Sequence, residues 1–74
     1  MNPTKKEIAE YIRFMREAAG LSQKQLADAI GLHPETLRRY ESADQRPNQL
    51  DQFLKKLREI VVNTIKSRRE ANRK

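Results

Sequence analysis

Cysteine and tryptophan are missing from this chain, and its 74 residues include only two glycines and three prolines. Without cysteine there is neither a disulfide staple nor a thiolate site for a metal, so packing alone must hold the fold, as suits a reducing cytoplasm. Aromatic residues are also few, two tyrosines and two phenylalanines. All four fall on apolar stripes, where they serve as core or core-edge residues, and this argues against the stacking surfaces that single-stranded RNA recognition needs. The longest aliphatic run is Ile60-Val61-Val62, far short of a membrane span. The opening Met1-Asn2-Pro3-Thr4-Lys5-Lys6 leads into an amphipathic segment rather than an apolar leader. Nor is there a glycine-rich phosphate loop, a Ser/His/Asp grouping or a paired-carboxylate cleft, so no enzyme and no cofactor are expected. His33 is the lone histidine and has no second ligand at metal-binding spacing; a helix cap or backbone contact is its expected role.

What the chain does have is positive charge. Lys and Arg number 16 against 10 Asp and Glu, a net of +6. On so short a chain this makes nucleic acid or an anionic surface the expected partner. The length allows one domain with a thin core, which calls for consistent local signals and a partner subunit.

Those local signals are all helical. Thr4 with Glu7 forms a capping box, Ile8, Ile12, Met15 and Ala19 line one face, and Gly20 ends the first helix. Ser22 with Gln25 forms a second box, followed by Leu26, Ala27 and Ile30 as a buried face and Gly31 as a left-handed cap. His33 caps or precedes a third helix, Pro34 suits its first position, and Leu37 and Tyr40 point inward. After a polar connection from Ser42 to Pro47, Asn48 can cap a long helix from about Gln49 into the sixties, with Val62-Asn63-Thr64 as the plausible break. The fold class expected is all-α: a compact domain of four helices, or five if that break is real, with a long C-terminal helix. Residues 1–65 form the domain, and the basic tail over 66–74 frays.

Two short helices joined at Gly31, with apolar residues placed to cross at an angle, make a helix-turn-helix over residues 22–42. With Leu37 and Tyr40 buried, the third helix turns Glu35, Arg38, Arg39 and Ser42 outward, with Pro34 at the edge. These are the candidates for reading bases in the major groove. Arginine can donate two hydrogen bonds to guanine, and glutamate can accept from the cytosine amine. The competing reading makes Glu35 and Arg39 a solvated i,i+4 pair.

At Arg16-Glu17, Gly20-Leu21-Ser22-Gln23, Leu26-Ala27, Ile30-Gly31, Thr36-Leu37 and Glu41 the chain closely resembles the phage Cro and C1 repressor type of helix-turn-helix domain, from about Ile12 to Leu57. The resemblance implies a small all-α DNA-binding domain, usually dimeric, that regulates transcription. It implies that Gln23 lies against the DNA backbone, where a helix N-terminus favours phosphate, and that Arg16 and Glu41 form an ion pair joining the first helix to the end of the third. Lys24, Thr36, His33, Arg46 and Arg13 are the further phosphate candidates. The family often has glycine where Ala43 stands, and often a loop and fifth helix after the place of Leu57, where this chain runs on. Ser, Thr or Gln is also more usual than His33-Pro34, so no base preference carries over.

One such unit reads few base pairs, so the expected partner is a double-stranded, palindromic DNA operator bound by a homodimer, with half-sites about 34 Å apart. Val61, Val62 and Ile65, beyond the part of the last helix needed for the core, are the expected dimer interface; the alternative is that they complete the monomer core. The tail, Arg73 and Lys74 included, either lies along phosphates or only solubilises. The main reading is a cytoplasmic repressor of phage, plasmid or bacterial type. The alternative is an antitoxin-like or anti-repressor module whose DNA binding is secondary.

Overall fold

The computed structural model describes residues 3–71. Four helices follow one another: α1 (Lys5–Ala18), α2 (Gln23–Ile30), α3 (Pro34–Glu41) and α4 (Leu50–Ala71). Both expected capping boxes form. Thr4 accepts from Glu7 N–H at 3.1 Å while the Glu7 carboxylate accepts from Thr4 N–H, and Ser22 and Gln25 repeat the arrangement on α2. These bonds satisfy backbone donors that a helix start otherwise leaves unpaired.

The first three helices also stop alike. Gly20, Gly31 and Ala43 take left-handed backbone angles, with φ of 69°, 90° and 66°. In each case the next residue's N–H reaches back five places: Leu21 to the Arg16 carbonyl, Leu32 to Ala27 and Asp44 to Arg39. This turn reverses the chain while occupying the last free carbonyls. Ala43 therefore keeps the turn that glycine usually makes, despite its Cβ.

Ile12, Leu26, Leu37 and Leu57, one from each helix, are fully buried and form the centre of the core with Ala19, Ala27 and Val61. Ala27 lets α2 and α3 cross closely. Tyr40 and Phe53 meet edge to face, ring centroids 5.5 Å apart, and tie α3 to α4.

α4 crosses the Val62-Asn63-Thr64 stretch without interruption. The Thr64 hydroxyl donates to the Ile60 carbonyl at 2.8 Å, so the weakest helix former there bonds to the helix itself. The start is at Leu50, with the Gln49 carbonyl accepting from Phe53 N–H. Helix extends into the basic segment as far as Ala71; the tail residues Arg73 and Lys74 lie outside the described residues.

Because α4 is so long, it runs beside α1 in the same direction. Leu54 and Arg58 share a groove with Glu7, Ile8 and Tyr11 near the start of α1, and Arg68 donates to the Gly20 carbonyl past its end. Two expectations change as a result. Val61 is 2% exposed and Ile65 packs against the core, so only Val62 of the expected interface trio faces outward. Phe14, expected at the core edge, is 67% exposed.

Candidate nucleic-acid interface

The third helix begins with His33, whose Nδ1 accepts the Glu35 N–H at 3.2 Å and caps the helix; Pro34 follows at the first position, where no N–H is needed. Leu37 and Tyr40 are buried, as the pattern requires. Their burial fixes the rotation of α3 and leaves Glu35, Arg38 and Arg39 on the solvent side, all three about half exposed.

These three side chains interact. Arg38 donates to Glu35 through Nε at 3.0 Å and through Nη2, a two-point contact across one turn. Arg39 Nε stands 3.9 Å from Glu35 Oε1, so the i,i+3 pair is tighter than the expected i,i+4 pair. Its hydrogen bond with Arg38 holds the Glu35 carboxyl below the usual carboxylate range and raises the Arg38 guanidinium in turn. The helix thus presents two fixed cations and one anion, with Arg39 the looser of the cations. A groove-reading surface needs such groups: donors in a planar fork and an acceptor, held outward on a rigid element.

The neighbouring candidates are placed more variously. Thr36 and Pro34 are half-buried at the start of α3, and Lys24 on α2 and Arg46 in the α3–α4 connection are exposed. Ser42 caps the end of α3, its one hydroxyl proton shared between the Arg39 carbonyl and Asp44 Oδ2 at 3.2 and 3.0 Å, so its polar atom is engaged within the chain. Arg13 donates to the Glu41 backbone carbonyl at 3.0 Å, placing a cation at the negative end of α3.

Beneath this surface lies the Arg16–Glu41 pair. Arg16 Nε and Nη2 meet the two carboxylate oxygens at 2.8 and 3.0 Å, and Nη1 donates to the Leu21 carbonyl. Gln23 donates to the same carboxylate at 3.3 Å from the first turn of α2. This one buried pair therefore fastens α1, the α1–α2 turn, the start of α2 and the end of α3. The engagement of Gln23 was not legible from spacing alone; neither was the Arg68 contact with Gly20, which links positions 48 residues apart.

Among the described residues no cluster of His, Cys, Asp or Glu could hold a metal ion, and no helix is long and apolar enough to cross a membrane.

A family model described as helix-turn-helix matches residues 12–51, more than half of the chain and the whole span from the middle of α1 to the start of α4. Comparison with curated proteins and with solved structures gives no match.

Proposed function

The chain belongs to the helix-turn-helix family of the Cro/C1 type, and from that membership we propose that it acts as a dimeric, sequence-specific transcriptional repressor whose α3 enters the major groove of duplex DNA. The observation that carries this reading is the outward trio Glu35, Arg38 and Arg39 on a helix whose rotation is fixed by Leu37 and Tyr40. Arg38 and Arg39 contact base edges or the phosphates beside them. Glu35 holds Arg38 in the free protein and exchanges that bond for a cytosine amine at the site. Pro34 abuts the groove wall.

Gln23 and Lys24 meet phosphate at the start of α2, where the helix dipole favours an anion. His33 and Thr36 flank the entry of α3, and Arg46 follows from the connecting loop. Arg13 acts indirectly, by holding the end of α3 in place. Two copies on a palindromic operator supply the selectivity that a single reading helix cannot, and occupancy over a promoter excludes polymerase in the cytoplasm of a bacterium or of a phage-infected cell. The outward Phe14 favours one other reading, an antitoxin-like module for which DNA is the lesser partner. Co-purification of a stoichiometric partner protein from the native cell would support that alternative.

Selection of bound sequences from a random duplex pool tests the function. A two-fold symmetric motif should emerge; a pool that stays featureless after repeated rounds with folded protein overturns the reading.

A further inference from the structure

Among the described residues, and outside the α3 surface, three large hydrophobic residues are exposed: Tyr11 at 36%, Phe14 at 67% and Val62 at 47%. They form one seam. Tyr11 lines the groove that Leu54 and Arg58 bound from α4. Phe14 follows Tyr11 by three residues on α1, and Val62 follows Arg58 by four on α4, so both continue the groove toward the Gly20–Arg68 contact at its far end.

Charge is segregated across the seam. Glu10 and Glu17 flank Phe14 on the α1 bank. Lys55, Arg58, Lys66 and Arg69 flank Val62 on the α4 bank, with Glu59 the one acid among them. All seven are exposed, and among the described residues none makes an ion pair within the chain.

We propose that this seam is the docking surface for a second copy of the chain. A two-fold axis running along the groove lays α1 of each copy over α4 of the other. Phe14 is then covered twice, and acidic bank meets basic bank on both sides of the axis. A surface of this kind is complementary to itself, as an isologous interface requires. Stacking α1 on α1 would instead oppose like charges and is disfavoured.

The seam also lies clear of the DNA-reading surface. On α1, Arg13 and Arg16 reach the end of α3, whereas Phe14 is on the opposite flank. The pair therefore forms without DNA and persists on it. This inference rests on the dimeric reading above and names its surface, which is centred on Phe14 and Val62; Val61 and Ile65 belong to the monomer core.

Sedimentation equilibrium of the full chain without DNA, over a range of concentrations, is the test. The wild type should approach twice 8.7 kDa. Phe14→Glu should sediment as a monomer with an unchanged circular dichroism spectrum. The double variant Glu10→Lys, Glu17→Lys should do the same, and adding Lys55→Glu and Lys66→Glu should restore the dimer. A wild type that stays monomeric throughout, or a Phe14→Glu variant that still dimerises, overturns the proposal. The monomeric variant should still prefer the selected half-site over scrambled duplex. A folded wild-type dimer with no sequence preference would overturn the repressor reading and leave the seam standing.

Discussion

Arg16 grips Glu41 at both carboxylate oxygens, with the glutamate side chain 3% exposed and the arginine 16%. Desolvation makes such a pair a weak net source of stability, but removing one partner strands the other charge. Glu41→Ala should therefore destabilise the fold by about 3–5 kcal/mol, measured by urea unfolding. Glu41→Gln keeps the shape and one acceptor, and should cost less. If Glu41→Ala leaves the melting temperature unchanged, the pair does not fix α3 against α1.

The left-handed caps make a reciprocal prediction. Ala43 holds φ of 66° with a Cβ, a conformation that costs a non-glycine residue roughly 1–2 kcal/mol. Ala43→Gly relieves that strain but gains unfolded-state entropy, so the expected net is a stabilisation of up to about 1 kcal/mol. Gly31→Ala meets no atom within 4 Å and should still destabilise, because φ of 90° is strained for any side chain. Thermal melts of the two variants should move in opposite directions; movement in the same direction would contradict the assignment of strain.

At the start of α1, the Glu7 carboxyl is held below its ordinary value, chiefly by the hydrogen bond it accepts from the Thr4 N–H. A depressed folded value means that the stabilisation is fully present above the ordinary glutamate range and is lost as pH falls through the lower, folded value. α1 should fray at its first turn under acid. Glu7→Gln, which keeps an acceptor without titrating, should flatten that part of the pH profile in a helicity measurement. An identical profile would show that the capping box is not what responds.

Much of the fold could be read from the sequence because its decisive signals are local. Thr4, Ser22, Gly20 and Gly31 each act within one turn of their own helix, and the spacing of Leu26, Ile30, Leu37 and Tyr40 sets which faces meet. What could not be read depended on how far α4 would travel. Nothing in Ile60-Val61-Val62 says whether those residues cover their own core or another chain's; that depends on α4 lying along α1, which buries Val61 and leaves Phe14 outside. The same limit applies at the DNA-facing surface. The outward face of α3 followed from its rotation, whereas the choice of Arg38 over Arg39 as the closer partner of Glu35 depends on rotamers that spacing does not specify.

Affinity for the selected site and for random duplex at physiological ionic strength, compared among wild type, Arg38→Ala and Arg39→Ala, tests the reading surface most directly. Each substitution should weaken binding to the selected site by about 1–3 kcal/mol and to random DNA by less, so that discrimination shrinks. Equal losses on both DNAs, with the selected motif unchanged, would contradict base reading by these arginines and reduce them to phosphate contacts.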